Sequence, residues 1–366
     1  MRKLWLLFSL ALLSLTCLAR VAFSGSPHIV VASAVSPSIS WNGSQWVQAD
    51  KKGNVFLLRG DSLDVYPFSA SRLANPRRLL RSGLVENGTT SAALSPDGDR
   101  WIVAASNHVT SFESGEARAL PDVGWLVTSV GFLGNAAVAG VLPMSVGRGQ
   151  VSTHPVTPPL VVESQMNGWT TRIGGSLPRR ARGRDPMDAL FAEHTVRLAR
   201  DGANRLWVGY PYLGKVARYT ATGKRDFEVV VGSGAARFRK DEATLRFAFR
   251  EGLRKQGYDT DNAKTGAFTA NLGIRGMTVA PDGLLYLLLD GSLTGETLLA
   301  RVDPSQGTVE GTPVGLAHAG ELGLAAGSDG LYLAAPRAAE GRWRIAWTSL
   351  ENADWFELPN ARLGTS

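Results

Sequence analysis

A single cysteine, Cys17, stands in 366 residues, so no disulfide can form within the chain and no cysteine-based metal site can be built. Histidine is almost as scarce. His28, His108, His154, His194 and His318 are never within two residues of one another, which excludes a paired-histidine metal motif. Also missing are a P-loop, a G-x-S-x-G elbow, an H-E-x-x-H helix and an EF-hand loop, and with them the commonest signatures of nucleotide, serine-hydrolase, zinc-peptidase and calcium chemistry. Charged residues are only 19% of the chain against 44% hydrophobic, a balance that excludes a disordered polymer and supplies a sizeable core. The net charge of +7 is a mild excess, without the basic face interleaved with aromatics that nucleic acid requires.

Against these absences stand 41 glycines, 18 prolines and ten tryptophans, a composition of tight turns and aromatic strands rather than long helices. The length suits two domains or one large closed all-β assembly. Residues 1–24 read as a signal peptide: Arg2 and Lys3 form a basic head, an apolar run follows, and cleavage is expected after Ala19 or Ser24. The protein is therefore expected to be exported, to the periplasm or outside the cell. Retention of residues 4–23 as an anchor, or lipidation of Cys17, are the alternative fates that would tie it to a membrane. Loss of Arg2, Lys3 and Arg20 with the leader leaves a charge of about +4.

Behind the leader the chain repeats itself. An Asp-Gly or Asn-Gly followed by an aromatic that opens a β-rich run recurs as Asn42-Gly43 before Trp46, Asp97-Gly98 before Trp101, Asp201-Gly202 before Trp207, Asp282-Gly283 before Tyr286 and Asp329-Gly330 before Tyr332. Gly134-Asn135 before Ala136 is a degenerate sixth copy. These dipeptides accept the positive φ that a tight hairpin demands, and the aromatic packs against a neighbouring sheet. Each copy extends to four strands: 91–95, 101–106, 108–113 and 117–120 in the second unit; 195–199, 206–210, 215–220 and 226–231 in the fourth. The fifth reads 275–280, 284–289, 298–302 and 308–314, and the sixth reads 321–326, 331–335, 343–347 and 355–358.

Four-stranded units in series predict an all-β fold, a six-bladed β-propeller of antiparallel blades filling residues 25–366 as one domain. A β-sandwich would not need the same turn at the same place in every unit. Residues 28–34 are expected either to close the last blade or to begin a seventh, partial one. The stretch 196–224, VRLARDGANRLWVGYPYLGKVARYTATGK, resembles one repeat of the NHL and virginiamycin-B-lyase-like six-bladed propellers, and 276–303 is a looser second example. The resemblance implies a fold and leaves the chemistry open, since that superfamily includes lactonases, lyases, peptide-binding modules and scaffolds.

Two stretches break the repeat, at about 176–189 and 232–271. The first carries Arg179, Arg180, Arg182 and Arg184, either a clamp for an anionic ligand such as phosphate, a carboxylate or an acidic polysaccharide, or a solvated loop. The second holds a helix candidate over 241–256, with Leu245, Phe249 and Leu253 on one face and Arg246, Arg250 and Arg254 on another. Asp97, Asp201, Asp282 and Asp329 are expected to serve their turns. Glu193-His194 before the fourth unit and His318 with Glu321 before the sixth are the acid–histidine neighbours placed to approach the mouth of a central channel.

Lactonase-type members of the fold hold a divalent cation in that channel with oxygen ligands from several blades. Two function classes follow. One is an exported binding or scaffold module for a protein, peptide or glycan, with no cofactor and no nucleic acid. The other is a metal-dependent hydrolase or lyase with a divalent cation at the channel mouth.

Overall fold

The most apolar stretches of the repeating units are their second strands, VFLLR, RWIVAA, AAVAGVL, LWVGY, LYLLLD and LYLAAPR. Runs so short and so apolar form strands covered on both faces. The computed structural model describes residues 32–35, 39–40, 45–50, 54–59, 62–69, 72–73, 77–80, 89–95, 97–113, 116–142, 145–147, 150–152, 159–175, 192–231, 274–290, 297–314, 323–327, 330–337, 342–348, 350, 353, 355–358 and 362–363. Within it each of those strands lies second in an antiparallel sheet.

The sheets follow chain order from inside outward. The first is Gln45–Ala49, Val55–Arg59, Ser62–Tyr66 and Arg77–Leu80. The second is Thr89–Leu94, Arg100–Ala105, His108–Glu113 and Glu116–Ala119. Leu126–Leu133, Ala136–Leu142, Pro159–Gln165 and Gly168–Gly174 make the third. The fourth begins Arg197–Arg200, Leu206–Tyr210, Lys215–Tyr219 and Arg225–Val230, and the fifth begins Ile274–Val279, Leu285–Asp290, Thr297–Asp303 and Thr308–Val314. Gly323–Ala326, Leu331–Arg337 and Arg342–Thr348 are the inner strands of the sixth.

The sixth sheet is completed from the other end of the chain. Ala32–Val35 pairs antiparallel with Arg342–Thr348, and Ile39–Ser40 joins the same strand. The sequence reading placed 355–358 in this position; instead Phe356–Glu357 adds a fifth strand to the outer edge of the fifth sheet, and Arg362–Leu363 does the same to the fourth. Pairing decides this, because the edge of Arg342–Thr348 is already taken.

Each inner strand lies against the next in chain order, and that of the sixth sheet lies against that of the first. The apolar core is divided accordingly. Phe56, Leu58, Leu63 and Val65 of the first sheet pack with Leu94, Trp101, Val103 and Phe112 of the second. Val47, Leu57 and Tyr66 of the first pack with Ala325 and Tyr332 of the sixth. Sheets standing face to face in sequence, each built on four antiparallel strands, make this chain a β-propeller.

Among the described residues the predicted turns at Asp97-Gly98, Gly134-Asn135, Asp201-Gly202 and Asp282-Gly283 are present, and two units show a change of register. In the first unit Trp46 lies on the inner strand, so the aromatic that opens the second strand is Phe56, and the intervening turn is closed by Asp50 and Asn54. Asn42-Gly43 lies outside the described residues. In the fourth unit the residue with positive φ is Asn204, at 60°, rather than Gly202. Hydrogen bonds explain the shift: Asn204 N donates to Asp201 O as Gly98 N donates to Ser95 O and Gly283 N to Ala280 O. Asp201 therefore occupies the first position of its turn, where Ser95 and Ala280 stand in theirs.

Candidate functional site

The inner strands of a propeller leave one row of backbone groups facing away from their own sheet, and these need partners. Here neighbouring sheets supply them. Leu94 N donates to Gln48 Oε1 at 2.8 Å, Val130 N to Ser91 Oγ at 3.1 Å, and Leu198 N to Ser129 Oγ at 3.2 Å. Three successive seams are thus stitched by a polar side chain on one inner strand reaching the next strand's amide. Gln48, Ser91 and Ser129 are functional in this structural sense and were missed in the sequence. Their signal there is weak, a polar residue within an inner strand that also carries other polar residues.

At one end of the inner strands lie the short turns into the second strands. Asp201 Oδ1 accepts from Ala203 N and Arg205 N, and its Oδ2 accepts from Arg205 Nε at 2.7 Å. Asp282 Oδ1 accepts from Leu284 N at 2.9 Å. Asp97 accepts from the Ser95 hydroxyl and from Asp99 N, and these bonds hold its carboxyl below the usual aspartate range. The turns also bind each other: Gly134 N donates to Asn204 Oδ1, and an Arg100 guanidinium NH donates to Asn135 O at 3.0 Å. Carboxylates at this end serve their own backbone. Asp329 lies outside the described residues.

The opposite end carries the connections that enter the inner strands and the turns between second and third strands. At 120–125, Asn107 Nδ2 donates to both Asp122 carboxylate oxygens at 2.9 Å, and Val123 N donates to Asn107 O. Residues 192–194 form one helical turn ahead of Arg197–Arg200. Thr128 Oγ1 fastens it to the third sheet, donating to His194 O and accepting from Val196 N. At 211–214, Leu213 N donates to Tyr210 O, and the Lys215 ammonium sits 4.3 Å from the centre of the Tyr210 ring.

The sequence candidates divide between described and undescribed residues. Glu193 is half-buried, while His194 is only 1% exposed and its carbonyl oxygen accepts from Thr128 of the third sheet. Arg179, Arg180, Arg182, Arg184, His318, Glu321 and the 241–256 helix candidate lie outside the described residues. Among the described residues no three His, Cys, Asp or Glu side chains are grouped to hold a metal ion.

Electrostatics inside the sheets follow the register. Arg218 lies opposite both Trp207 and Phe227, 5.4 and 5.8 Å from their ring centres, and its Nε donates to Asp226 at 2.9 Å. Arg301, opposite Tyr286, donates to Glu310 at 2.6 Å and stands 4.3 Å from the Trp355 ring. The Tyr210 and Tyr219 hydroxyls are 3.3 Å apart. Burial is the main cause that pushes both phenols above the usual tyrosine range, so both stay neutral.

No protein-family model matches this chain, and no curated protein matches it. Solved structures do. A chain of a mitotic checkpoint complex is 11% identical over 89% of this chain and 94% of its own, with a TM-score of 0.50. A catalytically inactive variant of virginiamycin B lyase from Staphylococcus aureus, solved with quinupristin, is 13% identical over 89% of this chain and 88% of its own, with a TM-score of 0.47. A protein of unknown function from Bacteroides thetaiotaomicron is 12% identical over 86% of this chain and 71% of its own, with a TM-score of 0.49. The resemblance is one of fold. At such identities it carries architecture and no chemistry.

Proposed function

We propose that this chain is an exported, closed six-bladed propeller that acts as a binding platform, and that its ligand is an acidic glycan. The observation that supports this reading is the unequal length of the connections at the two ends of the inner strands. At one end the links are short hairpin turns, such as 95–99, 201–205 and 280–284, each closed by its own backbone and side chains. At the other end the connections vary widely, and the stretches 175–196 and 231–273 both lead into inner strands there. Loops of unequal length on a repeated scaffold are where binding residues accumulate.

The acidic class of ligand is argued from charge. The connection into the fourth sheet contains Arg179, Arg180, Arg182 and Arg184, and the chain as a whole is basic. Guanidinium groups pair with carboxylates in bidentate fashion, and attraction to a polyanion would speed encounter. A glycan also suits an exported protein that carries no recognisable catalytic motif.

The test is binding of residues 25–366 to immobilised polygalacturonate. Saturable binding that weakens with salt, and that falls at least tenfold in the Arg179→Ala, Arg180→Ala, Arg182→Ala, Arg184→Ala variant, is expected. Binding that is absent, or indifferent to the four arginines, would overturn the reading.

A further inference from the structure

The strands that follow the sixth sheet run back over sheets already complete. Phe356–Glu357 pairs with the outer strand of the fifth sheet through Gly311 and Glu310. Arg362–Leu363 pairs with the outer strand of the fourth through Val230 and Val229. The order of sheets visited, fifth and then fourth, is the reverse of the order in which the chain made them.

Side chains on either side of the first of these strands fill two different seams. Trp355 lies among Tyr286, Leu288, Leu299 and Leu324, between the fifth and sixth sheets, and its ring is 6.3 Å from that of Tyr286 and 4.3 Å from the Arg301 guanidinium. Leu358, 9% exposed, lies among Val229, Val231, Leu285 and Val309, between the fourth and fifth sheets. Its amide donates to Val309 O at 3.0 Å. Gly311 makes room for it: a Cβ there would come within 2.8 Å of Leu358 Cδ2. Propeller sheets diverge toward the rim, so each seam opens outward as a wedge, and Trp355 and Leu358 occupy the two wedges that flank the fifth sheet.

We propose that this trailing segment is a detachable strap: a ligand carried in cis, bound by strand addition along the rim of the fifth and fourth sheets. Its recognition elements are those of peptide capture at a sheet edge, backbone pairing for affinity and alternate side-chain pockets for specificity. An aromatic enters one pocket and a leucine three residues later enters the next. Among the described residues the pairing with either sheet spans two residues, and the two buried side chains add the larger contacts. Sheets four and five each have their four strands without the strap, and its release leaves a rim groove open to another extended segment of the same pattern.

The experiment cuts the strap from the folded, full-length protein. A protease site is inserted after Leu350, the purified protein is cleaved, and a fluorescent peptide of residues 353–366 is added. The cleaved strap is expected to stay associated through gel filtration and to exchange for the labelled peptide at a 1:1 stoichiometry. A peptide carrying Trp355→Ala and Leu358→Ala should bind at least tenfold more weakly. Unfolding of the propeller upon cleavage, or equal binding of the doubly substituted peptide, would overturn the proposal. A second reading uses the uncut chain. Leu358→Ala should speed amide exchange in Thr308–Val314 and leave Arg100–Ala105 unchanged, whereas faster exchange throughout the molecule would show the segment to be an inseparable part of the core.

Discussion

At the scale of single residues, stability rests on buried polar pairs whose two halves depend on each other. The Tyr210 and Tyr219 hydroxyls are each other's partner inside the seam of the third and fourth sheets. Removing one leaves the other buried without its bond, which costs about 1–2 kcal/mol, whereas replacing both leaves an apolar contact of the same shape. The double Tyr210→Phe, Tyr219→Phe variant should therefore destabilise by less than the sum of the two single variants, and urea unfolding of the cycle measures the difference. Strict additivity would mean that the hydroxyls do not interact. Turn aspartates are the residues whose role was legible in advance. Asp97, Asp201 and Asp282 all bond backbone amides two to four residues on, as their propensity for turns implies. Their exact place in the turn was not legible, because Asp-Gly satisfies the same hairpin in more than one register, and Asn204 can supply the positive φ as well as glycine.

Elements are held by two devices, apolar pairing across seams and polar stitching of inner strands. The first was readable: short apolar second strands with an aromatic at the second position, such as Trp101, Trp207 and Tyr286, are all nearly or wholly buried. The second was not, since nothing in a sequence says which strand a lone serine will face. Ser129 illustrates the consequence. It is 7% exposed and accepts from Leu198 N, so Ser129→Ala should leave a buried amide without a partner and cost about 1–3 kcal/mol. A lower urea midpoint with an unchanged slope is the expected result, and an unchanged midpoint would contradict the stitch. Assignment of 355–358 to the sixth sheet failed for a related reason. Its alternation is that of any edge strand, and the choice between edges was made by Ala32–Val35, more than 300 residues earlier in the chain.

For the whole molecule, both closures lie at the rim: an early strand completes the sixth sheet, and the trailing segment reinforces the fifth and fourth. This leaves the ends of the inner strands free to differ, and they do, with compact self-bonded turns at one end and long connections at the other. The reading of the protein as a binding platform rests on that difference, so the most direct test locates the bound face. Amide exchange of the purified protein should be followed with and without saturating polygalacturonate. Slowed exchange at 120–125, 192–196 and 211–214, with the turns at 97–100, 201–205 and 281–284 unchanged, is the predicted result. Protection confined to those turns, or spread over neither end, would contradict it.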